Sequence, residues 1–495
     1  MLEEEFNDPD INSSKMENQI SNYIENNQTS NLTDLIKTKL SKTDIINMKF
    51  GHNQESILHR LVIMDIKILF INSFDVLKSK FEKNEFTSFI NYQDQQGNTS
   101  LLYASFKGNY DIIKILLDNG ADYKIRNYMG LSVMHMAAQG DKPAFLIYFK
   151  DKYKVDILDR DFNGNTPLHW AVNSTAENSI NFLISWMDDI NQVDKKGQTA
   201  LHIAIHTLRP KLIKKLLYKG ADIYLKNNIG ESVYDIISNN DGSNKEYESI
   251  FRTITESKPI KYCIYSDNNR VIKNNDSYFC FFKNKNHFID SFTCFILHLL
   301  SALLIYCFLL RYVNSFINQL LFYIILILLT ISFFLIHLSD PGIVYSNINL
   351  SWLEMVENKY YINNYCPYCK CQKTIKVKHC HICKKCIDGF NHHCNWIDNC
   401  IGEQNIGRFI FFILMIITNL IFSYYIAFEA FLFIEKTKPP EENTTYFVFS
   451  WIYILNTKDM IAIFIMSLCL FFFLPVLYVL WNQIKNRIFK QSKNN

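Results

Sequence analysis

Between Phe390 and Gly402 runs FNHHCNWIDNCIG, which packs two histidines and two cysteines into nine positions. These residue types serve zinc as ligands, or act together as a nucleophile with its base. The cysteines upstream help to separate the two uses. From Cys366 the chain reads CPYC, nine residues, HC, HICKKC, four residues, NHHC and NWIDNC. Zinc takes four soft or borderline ligands in a tetrahedron, and a CxxC turn supplies two at a time. Cys366, Cys369, His379 and Cys386 make one Cys3His set, and Cys380, Cys383, His393 and Cys400 make a second. The sets interleave and would staple a loop with little core of its own. Cys394, His392 and Cys371 are left over. Metal binding does not explain Cys394 beside a spare histidine. A thiolate next to His392 and two cationic centres has what an activated nucleophile needs. Cys371 is expected to be a surface thiol.

Cysteine usage sets the compartment. Eight of the 13 cysteines fall between Cys366 and Cys400, and none precedes Cys263. Secreted disulfides would be spread more evenly, so the cluster indicates metal binding at a reducing, cytosolic surface.

Four apolar runs flank the loop, at 291–310, 320–338, 409–428 and 460–481. Each is long enough to cross a hydrocarbon core of about 30 Å. Four consecutive helices that are apolar all round argue against a soluble core. The spans are expected at 289–311, 318–338, 409–434 and 460–481. FVFSWIYIL at 447–455 is too short to span and suits the interface. Basic residues concentrate in the 339–408 loop and in the tail 482–495, which places both on the cytosolic side. The sequon at Asn443 would then face the opposite side.

Lys+Arg 51 against Asp+Glu 48 gives no basic excess that would indicate nucleic acid. Length suggests several domains. The N-terminal half shows an internal period. GNTSLL at Gly97, GLSVMH at Gly130, GNTPLH at Gly164, GQTALH at Gly197 and GESVYD at Gly230 recur at steps of 33, 34, 33 and 33. That is the ankyrin period, and T-P-L-H stands at Thr166–His169. Repeats are expected over 54–236, with about ten extra residues after the first unit. Gly120 and Gly220 fit helix ends that need positive φ. The histidines of these units are read as structural. Trp170 stands where a groove side chain could anchor a partner peptide or pack on the next repeat. Residues 1–50 read as a polar disordered tail or degenerate cap, with neither signal nor transit peptide, and 237–288 reads as a linker. The fold class is therefore α-helical: an ankyrin solenoid, then a four-helix transmembrane bundle with a small zinc-bound Cys-rich domain at 350–408.

The Cys366–Phe409 pattern resembles that of DHHC-type protein S-acyltransferases (palmitoyltransferases), with Trp396, Asn399, Gly402 and Asn405 in register. Asp340-Pro341-Gly342 resembles the family's DPG motif, and the ankyrin array resembles its ankyrin-bearing branch. That branch has six spans, whereas four are read here. The resemblance implies transfer of a fatty acyl group from acyl-CoA to Cys394, and then to a cysteine of a protein substrate. It implies His392 as base, two structural Zn2+ ions, and the spans as a cavity for the acyl chain. Lys373, Lys376 and Arg408 are candidates for the CoA phosphates. The array would recruit cytosolic or membrane-associated proteins with acceptor cysteines, and an endomembrane such as the Golgi is the expected address. The chain departs from the family at four points. Asn391 replaces the Asp before the histidines, Thr374 and Lys376 stand in for Pro-x-Arg, and Asn395 replaces Pro. No T-T-x-E follows the last span. Asp388 and Asp398 are candidates to compensate for Asn391. A second reading keeps the fold but makes it a catalytically impaired scaffold, with Asn391 disabling turnover. A channel would need a polar filter between its spans, and none is present in the sequence. A zinc-ribbon ubiquitin ligase would have no need of Cys394.

Overall fold

The computed structural model describes residues 9–240, 315–436 and 457–491, with the single residues 250, 310 and 313. The expected first span at 289–311 lies outside the described residues apart from Leu310, as do the 447–455 segment and most of the 237–288 linker. The chain divides into two units. One comprises 1–262 with 348–370, and the other 263–347 with 371–495.

The first unit is a stack of short helices. Helices Ile57–Met64, Ser100–Lys107, Val133–Gln139, Pro167–Asn173 and Ala200–His206 open successive repeats. Most are started by a repeated device. Ser56, Ser132, Thr166 and Thr199 are N-caps, and each is paired with a histidine three residues on. The Nδ1 atoms of His59, His135 and His169 accept the cap residue's N–H at 3.1–3.2 Å. Their Nε2–H groups reach forward to the carbonyls of Asn98, Asn165 and Gln198 at 3.0–3.2 Å. Each histidine thus ties its own helix to the next loop, in agreement with the structural reading. Gly120 and Gly220 take φ of 97° and 103° at helix ends, as expected.

Two stretches differ from expectation. A helix spans Pro9–Glu25 where composition reads a tail or a degenerate cap, and helices Thr29–Thr38 and Lys42–Asn47 follow it, in the manner of a cap rather than a tail. Ile20, Ile24, Leu32, Leu35 and Ile36 are buried in the array's core, so a sparse apolar stripe closes the stack despite the polar composition. The extra residues after the first unit form a further helix, Lys83–Ile90, with Phe86 and Phe89 buried.

The first unit also holds a segment from far along the chain. Residues 348–370 fold with the array, although the Cys-rich domain is expected to begin at 350. Helix Trp352–Glu357 is capped by Ser351. Met355, Val356, Ile362 and Tyr365 are buried in the same core cluster as the repeat helices.

In the second unit, helices Phe316–His337, Ile406–Lys436 and Thr457–Gln491 supply three segments long and apolar enough to cross a membrane. Pro475 lies inside the last helix, which runs past the expected span end at 481. Between the first two helices, β1 (Ile343–Val344), β3 (Lys385–Ile387) and β2 (Lys378–Cys380) form an antiparallel sheet in the order β1-β3-β2. β4 (His392–Cys394) pairs with β5 (Asn399–Ile401).

Candidate functional site

Both expected ligand sets are brought together. Cys366, Cys369, His379 and Cys386 form one group, and Cys380, Cys383, His393 and Cys400 the other. Within each group the ligand atoms all lie within 4.8 Å of one another. The β4–β5 pairing sets His393 opposite Cys400. Nδ1 of His393 lies 3.3 Å from the Cys383 sulfur and 3.6 Å from that of Cys400, and the two sulfurs are 3.3 Å apart. In the other group, Nδ1 of His379 lies 3.7 Å from the Cys386 sulfur. A zinc tetrahedron with Zn–S of about 2.3 Å and Zn–N of about 2.0–2.1 Å has edges of roughly 3.6–3.8 Å. The donors therefore fit zinc in type and in spacing.

The electrostatics agree. The Cys383 and Cys400 thiols hydrogen-bond to Cys380 and hold its thiol far below the usual range. Cys400, whose hydrogen bonds go to Cys380 and Cys383, is pushed up in turn. Close sulfurs thus share protons that a dication would displace together. Behind His393, Nε2 stands 3.8 Å from the Asp398 carboxylate, beyond hydrogen-bond distance but on the side where an outer partner of a metal-ligating imidazole would sit.

Cys394 belongs to neither group. It lies at the end of β4, opposite Asn399, and packs half-buried against an apolar cluster that includes Leu329, Phe333, Phe409 and Phe412 of the membrane helices. His392, two residues earlier, sets its ring 5.6 Å from that of Phe409. Burial first, and then the charge of His393, hold the His392 pKa below its usual value, which favours a neutral imidazole. Asn391 donates its N–H to the Ile401 carbonyl at 2.8 Å. Asp398, a candidate to compensate for Asn391, has its carboxylate 3.8 Å from Nε2 of His393. Asp388 takes part through its backbone, with its N–H on Gly342 and its carbonyl accepting from Glu403.

Sequence reasoning did not assign the residues that moor this loop to the Phe316–His337 helix. Asn399 directs Nδ2 to the carbonyls of Ile336, His337 and Ser339 at 3.1, 3.1 and 2.8 Å. These belong to the helix end, where carbonyls lack intrahelical partners. His337 Nδ1 meets the Ile397 carbonyl at 2.6 Å. The fully buried Asn405 accepts from Gly402 N–H and donates to the Cys400 carbonyl and the Ser339 hydroxyl. Asp340 closes the turn by accepting the N–H groups of Gly342 and Ile343. Asn399, Asn405 and Asp340 did carry a signal, since each is a polar residue with a place in the patterns the sequence resembles, whereas His337 carried none.

The remaining candidates are dispersed. Lys373 and Lys376 precede β2, and Arg408 lies exposed in the first turn of Ile406–Lys436. Trp170 donates Nε1–H to Asp161 at 3.0 Å and packs partly buried on the array core. Cys371 is 2% exposed, so it is not the expected surface thiol, since its side chain is turned into the fold.

An ankyrin array, helices long and apolar enough to cross a membrane and a Cys/His loop whose donor sets suit zinc indicate a membrane protein with a metal-binding type of loop. Residues 359–494 match the model of the DHHC palmitoyltransferase family, while 133–227 and 96–128 match ankyrin repeats. The chain thus carries a DHHC palmitoyltransferase domain beside ankyrin repeats. It is 25% identical over 412 residues to palmitoyltransferase AKR1 of Lachancea kluyveri, covering 70% of this chain and 55% of that protein. It is 38% identical over 104 residues to palmitoyltransferase ZDHHC7 of Mus musculus, covering 21% of this chain and 34% of the relative. It is 36% identical over 98 residues to palmitoyltransferase swf1 of Schizosaccharomyces pombe, covering 19% and 26%. The chain spans about half the length of the first of these relatives and less of the others.

Proposed function

We propose that this protein is a membrane S-acyltransferase that palmitoylates cysteines of other proteins through an acyl-enzyme at Cys394. The observation that carries this is the position of Cys394. It is adjacent to a ligand of one donor set, excluded from both sets, and packed against membrane-helix side chains. An acyl chain held among those helices would present its thioester carbonyl there. Burial of the chain, at about 0.8 kcal/mol per CH2, would dominate donor affinity.

In the first step the Cys394 thiolate attacks the carbonyl carbon of a fatty acyl-CoA. The new C–S bond forms, the bond to the CoA sulfur breaks, and CoA leaves as a thiol after taking up a proton. In the second step a substrate thiolate attacks the acyl-enzyme, and Cys394 is released. His392 takes the Cys394 proton and returns it to the departing thiol, and Asn391 orients His392 less strongly than a carboxylate would. Two Zn2+ ions, one on each donor set, would supply structural cross-linking of the loop. Lys373, Lys376 and Arg408 offer cations to the CoA phosphates.

Four spans at 289–311, 318–338, 409–434 and 460–481 would put the array, the Cys-rich domain at 350–408 and the tail on the cytosolic side, in an endomembrane such as the Golgi. Protein substrates with acceptor cysteines would be recruited by the repeats at 54–236, with Trp170 facing them. The scaffold alternative is not favoured, since the relatives are palmitoyltransferases by name.

The test is incubation of purified protein with labelled palmitoyl-CoA. Hydroxylamine-sensitive label on the wild type, lost in Cys394→Ser with zinc content unchanged, is the expected result. Absence of label on the wild type together with label on Asn391→Asp would instead support the scaffold.

A further inference from the structure

The array carries one of the chain's own segments on its helices. Trp352 meets Phe182 edge-to-face at 5.2 Å between ring centroids. Glu357 pairs with Lys152 at 3.2 Å, and Lys359 pairs with Asp111 at 2.8 Å. Asp111 is held at the same time by Lys67, at 2.6 Å. Phe182, Lys152 and Asp111 come from three successive repeats. All three lie on second helices: Glu177–Trp186, Pro143–Tyr153 and Tyr110–Asp118. A six-residue helix such as Trp352–Glu357 is far too short to persist by itself, so its form depends on this packing.

The segment leads directly into a pair of metal-type donors. Tyr365, immediately before Cys366, is 8% exposed within the array's core cluster. Lys370, immediately after Cys369, has its ammonium 5.4 Å from the centre of the Trp352 ring and donates to the Leu350 carbonyl. Its own N–H closes the Cys366–Cys369 turn onto the Cys366 carbonyl at 2.8 Å. Both ends of the CPYC turn are therefore tied to the docked segment. We propose that the ankyrin array, besides recruiting substrates, is a positioning element of the metal loop: it holds 348–370, and with it the Cys366–Cys369 pair, in the geometry that zinc requires. Occupancy of the second-helix face by a partner that displaced Trp352 would then loosen the loop.

This inference rests on zinc binding and acyl transfer as proposed above, and its test reads them separately. The full-length protein in detergent is loaded with zinc, and zinc transfer to a chromogenic chelator is followed beside labelling by palmitoyl-CoA without protein substrate. Trp352→Ala is expected to release one zinc equivalent about tenfold faster, at the lower end for groups that orient metal ligands. Lys152→Glu and Glu357→Lys are each expected to accelerate that release by about two- to fivefold, the range for an exposed ion pair, and the double exchange to restore the wild-type rate. The restored double variant separates lost docking from misfolding. Acyl labelling should fall with the faster release. Hydrogen exchange reports whether 352–365 has come off the array. Release of that segment with unchanged zinc kinetics would overturn the proposal. Zinc kinetics that respond as expected in a protein that never takes label would leave the positioning role standing and remove the acyltransferase reading.

Discussion

The carboxylate of Asp398 stands 3.8 Å from Nε2 of His393, on the side of the imidazole away from the cysteine sulfurs. At that distance it makes no hydrogen bond to the ring, but it stands where an outer partner would favour the tautomer that presents Nδ1 to the donor set. Outer partners of this kind typically govern affinity by 10–100-fold. Asp398→Asn is expected to weaken zinc retention about tenfold, measured by competition with a chelator of known affinity. Unchanged retention would show that the β4–β5 pairing alone sets the ring.

In the proposed mechanism Asn391 takes the place of a carboxylate in orienting His392. An amide cannot stabilise an imidazolium as a carboxylate does, and the same exchange in a serine triad costs about 10⁴ in rate. A thiol nucleophile has a lower pKa and depends less on its base. Asn391→Asp is expected to speed autoacylation by about tenfold, well short of the serine figure, with zinc content unchanged. Stopped-time labelling with palmitoyl-CoA measures it, and equal rates would show that His392 needs no acidic partner.

The mooring of the loop to the Phe316–His337 helix gives a stability prediction. Asn399→Ala removes the side-chain amide that bonds the His337 and Ser339 carbonyls and shares the Ile336 carbonyl with Ser339, at about 1–3 kcal/mol. Gly402→Ala is expected to be worse. A Cβ there would stand 2.1 Å from the Pro341 carbonyl oxygen, and backbone on both sides cannot yield cheaply. Thermal unfolding in detergent should rank wild type above Asn399→Ala, and Asn399→Ala above Gly402→Ala. A Gly402→Ala variant as stable as the wild type would contradict the close approach.

What could be read from the chain depends on how local the determinant is. Ligand sets were legible because CxxC turns and the His/Cys spacing confine donors to a few residues, and the structure groups the same eight side chains. The repeats were legible because Gly97, Gly130, Gly164, Gly197 and Gly230 mark a fixed period. The helix at Pro9–Glu25 stood between a tail and a degenerate cap because its buried stripe is sparse, and its partners are the helices it packs on. The docking of Trp352 on Phe182 joins positions 170 residues apart, and no periodicity or motif signals such a contact. Asp398 could be singled out as an acidic residue near the histidines, yet only the β4–β5 pairing decides which imidazole it serves.

The histidines of the repeats make the array sensitive to acid. His59 is buried, and burial holds its pKa down to about 4, against an ordinary value of 6.5. His135 and His169 are shifted in the same direction by the same cause. In each of these three, Nδ1 accepts the cap residue's N–H, and a proton on Nδ1 would break that bond. Above pH 6.5 these groups are neutral whether the array is folded or not, and stability does not depend on pH through them. As pH falls below 6.5 the unfolded chain binds protons that the native array refuses, so stability declines until the native pKa is reached. For His59 alone the loss between pH 6.5 and about 4 is roughly 3 kcal/mol. Hydrogen exchange of the array helices in the solubilised protein is expected to show protection falling between pH 7 and pH 5. His59→Gln, which cannot titrate, is expected to lose stability at pH 7 but to flatten that pH dependence. A slope unchanged by His59→Gln would assign the acid sensitivity to other groups.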